Sequence, residues 1–200
     1  MSDCRWGEIA VRRLLILGLG LLLLAGCEAE VVQVPPRVIT STLPGSPAAK
    51  TFNPGDMNVK IGDEKALEAL IANHKGKLVF VDYWATWCEP CVEAFPHTVE
   101  AYEKYRNQGL AVIAVSFDDP SQYDDPTEAE NKVRRFLATH RADFENLISP
   151  YESGPEPLEK FDIPLVPHFR LYDRQGKLRF KWDAEPKDLD ARLQELLAEK

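Results

Sequence analysis

The chain has 200 residues, of which 28% are charged and 44% hydrophobic, with a formal net charge of -8 and a pI near 5.1. That composition excludes collagen-like repeats, low-complexity disorder and a polytopic membrane protein, and fits one globular domain beside any targeting segment. An acidic chain with no Lys/Arg cluster also argues against a nucleic-acid partner, because phosphate contacts need clustered cations.

The first elements read as an address. Arg5, Arg12 and Arg13 precede an uncharged run from Leu14 to Ala25 that ends in Leu24-Ala25-Gly26-Cys27. A positive start, an apolar middle and a small-residue end define an export signal. The run is too short for the roughly 20 residues of a bilayer-spanning helix. Leu-Ala-Gly-Cys resembles the bacterial lipobox, which makes residues 1–26 a signal peptide and Cys27 the acylated first residue of the mature chain. The competing readings are an uncleaved anchor and ordinary secretion; the Arg12-Arg13 pair is a weak hint of twin-arginine export. Residues 27–57, with Pro35-Pro36, Pro44, Pro47 and Pro54, read as a tether, and a strand over Val31–Val34 is the lesser alternative. The expected location is extracytoplasmic, with the lipid on Cys27 holding the protein to a membrane.

From Asn58 to Lys200 helix and strand signals alternate. Asp63 is placed to cap a helix through about Asn73, with Gly76 as its stop, and Leu78 to Trp84 is an apolar run expected as a buried central strand. A helix from about Cys91 to Asn107, stopped by Gly109, leads to a second buried strand over Leu110–Phe117, a parallel βαβ unit. Asp118 to Glu130 reads as a polar loop, solvated or partner-binding. Thr127 with Glu130 suggests a capping box opening a helix to about His140. Phe144–Ile148 reads as a short strand. Phe169–Tyr172 and Leu178–Trp182 read as a hairpin around Asp173-Arg174-Gln175-Gly176, and a last helix is expected to start with Pro186 in its first turn.

With Cys4 in the leader and Cys27 assigned to lipid, Cys88 and Cys91 remain, spaced Cys-x-x-Cys. In an oxidising compartment a lone close pair can cycle between dithiol and disulfide. Trp87-Cys88-Glu89-Pro90-Cys91 lies where a strand ends and a helix begins. Unpaired N–H groups and the helix dipole there favour a thiolate, so Cys88 is the expected nucleophile and Cys91, one turn further, the resolving thiol. Pro90 is tolerated in the first turn. A zinc half-site would need two further ligands, and no second Cys-x-x-Cys exists.

These residues, Val81-Asp82-Tyr83-Trp84-Ala85-Thr86-Trp87-Cys88-Glu89-Pro90-Cys91, with Pro96 and Val166-Pro167, resemble the thioredoxin superfamily. The resemblance is to its membrane-anchored extracytoplasmic thiol–disulfide oxidoreductases of the TlpA and ResA type, and covers residues 58–200. It implies an α/β thioredoxin-like fold: one domain with a central mixed β-sheet flanked by helices. By resemblance Asp82 is a buried carboxylate that assists proton transfer at Cys91, its other reading being a capped or solvated strand residue. Pro167 is the cis-proline, with Pro164 the competing choice, and the Val166 backbone pairs with an extended client segment. Trp87 and His168 line the substrate groove. His168 stands where the family usually has Thr, Glu89 replaces a glycine, and the family's glycine beyond Gly176 is missing, so Trp182 or its neighbours reshape that edge.

Glu89 bears on the direction of electron flow. A charge about 6 Å from the Cys88 thiolate raises its pKa by roughly half a unit in water and about two units at an effective dielectric of 20. A higher thiol pKa makes the dithiol the better reductant. A reductase is therefore expected, acting on an oxidised protein client and supplied by a membrane electron-donor protein. Apocytochrome c thiols are one client class suggested by the Glu-Pro dipeptide in relatives. A monomer without a cofactor or a metal is expected. The rival functions are a Cu(I) chaperone using both thiolates and His168, a disulfide-forming oxidant, a peroxide reductase and a non-catalytic interaction module.

Overall fold

The computed structural model describes residues 52–199. The expected signal peptide, the expected lipid site Cys27, the alternative strand near Val31 and most of the expected tether lie outside them. Beside three short 3-10 helices, five α-helices and six strands make up the described chain. They are β1 (Val59–Ile61), α1 (Glu64–Asn73), β2 (Leu78–Trp84), α2 (Glu89–Tyr105), β3 (Leu110–Ser116) and α3 (Thr127–His140). β4 (Glu145–Ile148), α4 (Pro155–Lys160), β5 (His168–Tyr172), β6 (Leu178–Trp182) and α5 (Leu189–Ala198) complete the domain. The strands form one sheet in the order β1-β4-β3-β2-β5-β6. Its β1–β4, β4–β3 and β3–β2 contacts are parallel and its β2–β5 and β5–β6 contacts antiparallel. This is a thioredoxin-like α/β fold with a mixed central sheet.

Local chemistry explains most boundaries. Asp63 accepts a hydrogen bond from the Ala66 amide (2.9 Å) and starts α1, which buries Leu67 and Ile71. Gly109 ends the turn after α2 at φ +105°, a left-handed conformation that costs glycine nothing. Every residue of β2 and β3 is buried, as expected of central strands covered on both faces. Beneath α2 and α3 the Trp84 ring packs on Phe95 and Phe136, with centroids 4.7 and 4.6 Å away. On the opposite face Tyr83 meets Phe161 edge-on.

Several boundaries differ from the sequence reading. α2 begins at Glu89, not Cys91, so Cys88 is its N-cap. The Thr127/Glu130 capping box is absent. Thr127 is itself helical, and Asp125 Oδ1 takes up its amide and hydroxyl at 2.9 and 2.8 Å. Glu130 pairs instead with Arg134 one turn on (2.7 Å). α5 starts at Leu189, beyond Pro186, with Asp188 at its N-cap holding the Trp182 indole N–H at 3.0 Å. Its C-terminal carbonyls are closed by a side chain from the hairpin turn: Arg174 donates to Leu196, Leu197 and Glu199. Packing also extends upstream of Asn58, where Phe52 and Met57 join the core.

Candidate active site

The site forms where β2 runs out. Ala85 is buried, Trp87 is 60% exposed, and Cys88 then caps α2, its carbonyl accepting from the Cys91 and Val92 amides at 3.0 Å. Pro90 occupies the first turn, where an N–H would lack an intrahelical partner. Cys88 and Cys91 are joined as a disulfide with their Cα atoms 5.2 Å apart, and both are buried. The pair is flanked in sequence by the exposed Trp87 and, in the first helical turn, by Glu89.

Asp82 lies inside β2 at 2% exposure. Its register partners are Ala114 on β3 and Phe169 on β5, so the two flanking positions on its face carry no polar group. Thr98 Oγ1 donates to its Oδ2 at 2.6 Å. Thr98 follows Cys91 by two turns on the buried stripe of α2 that also holds Ala94 and Phe95. Burial pushes the Asp82 carboxyl up to about 7, against the Thr98 hydrogen bond, which favours the charged form. A carboxyl poised near neutrality is suited to accept and release a proton at working pH.

The Val166–Pro167 peptide is cis. Val166, Leu165 and Trp87 line a 320 Å³ cavity with Phe117 on the sheet side and Pro157 and Leu158 from α4. Leu165, at 44% exposed, is with Trp87 among the few large apolar side chains presented to solvent. The result is an apolar cleft rimmed by Trp87 and by the loop that holds the cis-proline.

His168 is placed differently from the sequence expectation. Strand neighbours face opposite sides of a sheet, and His168 pairs with Tyr83 rather than Asp82. Its ring, 1% exposed, packs on Tyr83, bonds Asp183 through Nδ1 at 2.8 Å and accepts from Arg170 at 3.3 Å. Burial holds it below the ordinary histidine range, with the Asp183 contact opposing. Its side chain offers a client no surface, and it is committed away from the face that carries Asp82. Among the described residues no group of three or more His, Cys, Asp or Glu side chains is arranged to hold a metal ion. Trp182 stacks on Phe180 along the β6 edge.

Sequence reasoning missed two supporting residues. Thr98 was legible as the polar member of an otherwise apolar helical stripe. Asp118, which reads as the start of a polar loop, is buried, accepts from Ser116 Oγ (2.7 Å) and holds both the amide (2.9 Å) and the hydroxyl of Thr86. It anchors the turn that delivers Trp87 and Cys88. The adjacent Asp119 ties this loop to the Ser153 amide at 2.6 Å. Although burial alone would raise the Asp119 carboxyl, the backbone and hydroxyl donors of Ser153 and Ser121 hold it down to about 2. Replacing Asp118 with alanine orphans the Thr86 amide and should destabilise the oxidised protein by about 1–3 kcal/mol, read by urea denaturation.

The fold and this disulfide-bearing helix N-terminus define a thioredoxin-like protein with a redox-capable cysteine pair. The chain belongs to the AhpC/TSA family, which matches residues 49–181. It is similar to the thiol-disulfide oxidoreductase ResA of Bacillus subtilis (strain 168), 26% identical over 121 residues that cover 60% of this chain and 61% of that one. The ResA of Geobacillus kaustophilus is 31% identical over 100 residues, covering 48% and 53%. The chain thus spans about three fifths or less of the length of these curated relatives. Two solved structures share the fold. The thioredoxin domain of a thiol-disulfide oxidoreductase from Bacteroides vulgatus has a TM-score of 0.51 at 23% identity, covering 63% of this chain and 83% of that one. A thiol-disulfide isomerase from Corynebacterium glutamicum has a TM-score of 0.54 at 21% identity, covering 64% and 86%.

Proposed function

We propose that this protein is a thiol–disulfide oxidoreductase that reduces disulfides in exported protein clients, carried on the outer side of a bacterial membrane by lipid on Cys27. The observation that carries the reading is the Cys88–Cys91 pair at the N-terminus of α2, next in sequence to Trp87 of the apolar cleft with Leu165 and Val166, with the buried carboxylate Asp82 in the strand that leads to it. In the reductive direction the Cys88 thiolate attacks a client disulfide, forming a mixed disulfide and expelling the other client sulfur as a thiolate. Asp82 takes the proton of Cys91, whose thiolate attacks Cys88 Sγ; the client leaves as a thiolate and the Cys88–Cys91 bond forms.

Direction follows from what surrounds the Cys88 sulfur. Pro90 removes one of the first-turn N–H groups that would stabilise a thiolate, and Glu89 adds a negative charge next to it. Both favour the disulfide over the dithiolate and make the dithiol a reductant. An apocytochrome c client and a membrane electron donor belong to this reading, as does a monomeric domain on the 27–57 tether.

The test is the reduction potential of the pair, with turnover of a disulfide peptide. A potential near that of thioredoxin, about −270 mV, and peptide reduction are expected. A potential near −120 mV would make the protein an oxidant. Rapid turnover of hydrogen peroxide without disulfide exchange would move it to the peroxide-reducing branch of its family.

A further inference from the structure

Resting on that reading, Asp82 must be ionised before it can take the proton of Cys91, yet at 2% exposure it is closed off from bulk water. Its sole side-chain hydrogen-bond partner among the described residues is the Thr98 hydroxyl. Thr98 also lines a cavity of 290 Å³ between α2 and the segment that leads into α5. One water needs about 10–15 Å³ of such space together with polar partners, which the hydroxyl and charged side chains of the lining offer. The cavity floor is apolar, formed by Phe80, Phe169 and Ala94, and its mouth is polar. There His97 Nδ1 pairs with Glu185 at 2.7 Å, and Tyr105 donates to Asp190 at 2.6 Å.

We propose that this cavity is the proton exit of Asp82, with the Thr98 hydroxyl as relay and the His97–Glu185 pair as the terminus at solvent. A hydroxyl is both donor and acceptor and turns to suit. While Asp82 is ionised, Thr98 donates to it. Once Asp82 has taken the Cys91 proton, its O–H donates to Thr98 Oγ1 and the Thr98 hydrogen turns to a cavity water. The carboxyl proton passes to Oγ1 as the hydroxyl proton leaves to that water, which restores a neutral threonine and an ionised Asp82. No electrons move in the step. The charged and titratable groups facing the cavity are His97, Glu100, Lys104 and Tyr105 from α2 and Glu185, Lys187 and Asp190 from the opposite wall; the sheet contributes only Phe80 and Phe169.

Occlusion separates this role from simple tuning of the carboxyl. Ala101, on the cavity wall, touches neither Asp82 nor the thiols in the hydrogen-bonding scheme, and Ala101→Leu fills the space. The experiment follows single-turnover release of a disulfide peptide from the mixed disulfide with the full-length protein between pH 6 and 9, in H2O and D2O, beside the Asp82 midpoint from carboxyl carbon NMR. Below the Asp82 midpoint, where the carboxyl must lose its proton before it can take that of Cys91, Ala101→Leu is expected to slow release about tenfold with the midpoint unmoved and a larger solvent isotope effect. Thr98→Val should slow it similarly and Thr98→Ser restore it to within about twofold. Should Ala101→Leu not fold, the pair Thr98→Val and Thr98→Ser decides alone. Wild-type release in Ala101→Leu, or Thr98→Ser as slow as Thr98→Val, overturns the conduit. A wild-type protein that never forms the mixed disulfide overturns the oxidoreductase reading and the conduit with it, whereas normal wild-type release with unaffected variants overturns the conduit alone.

Discussion

Cys91→Ser is expected to convert the protein from a catalyst into a covalent trap. With Cys88 free at the helix N-cap, beside the exposed Trp87, attack on a client disulfide still proceeds. The hydroxyl at position 91 is too weak a nucleophile to displace the client, so multiple turnover should fall by roughly a thousandfold or more. The mixed disulfide should accumulate stoichiometrically, run as a shifted band on a non-reducing gel and vanish with dithiothreitol. Cys88→Ser should give far less adduct, because Cys91 is 2% exposed against 6% for Cys88 and lies one turn into α2. Equal trapping by both variants would contradict the assignment of roles to the two sulfurs.

Asp82→Asn should make the oxidised protein more stable, and only where the carboxylate is charged. The folded state holds the Asp82 proton up to about pH 7, while an unfolded chain releases it near 3.8. Between those values the folded state binds more protons than the unfolded one, so stability is greatest below the lower value, declines as pH rises through the window and levels off above it. Each pKa unit corresponds to about 1.4 kcal/mol, which sets the cost of the ionised, buried Asp82 at up to about 4 kcal/mol at pH 8. Asparagine cannot ionise and keeps an oxygen for the Thr98 hydroxyl. Urea denaturation at pH 4, 6 and 8 should find the variant and the parent alike at pH 4 and furthest apart at pH 8. A constant difference across that range would mean that Asp82 titrates normally. The same substitution should slow release of client from the mixed disulfide, a trade of activity for stability of the kind buried catalytic charges impose.

Elements with a local signal were readable from the chain, and those held by distant partners were not. β2 and α1 announce themselves through a continuous apolar run and an Asp63 cap. The hairpin of β5 and β6 is marked by Gly176 in its turn, at φ +80°. β1 escaped because it is three residues long and is defined by pairing with Asn146, Leu147 and Ile148, far along the chain. α4 escaped because Pro155-Glu156-Pro157 reads as a loop, although prolines fit the first turn of a helix and Pro157 is buried there. In the site, cysteine spacing marked Cys88 and Cys91, which are joined as a disulfide, and the family resemblance pointed to Asp82, which is buried. The roles of Thr98 and Asp118 depend on side chains meeting across elements, which periodicity does not encode. The side of the sheet that His168 faces follows from its pairing with Tyr83, a register that depends on where β5 begins.

The two ends of the sheet also limit what the molecule does in a crowd. A long, flat, unpaired strand invites a second copy to add to it, and a protein concentrated on a surface meets its copies often. β1 offers only three residues, and β6 carries Arg179 and Lys181, with Arg179 drawn into a two-pronged ion pair with Glu199. Growth of the sheet from one molecule to the next is discouraged at both borders, by brevity at one and by charge at the other. A chain with valine at positions 179 and 181 would keep its redox chemistry while losing colloidal stability.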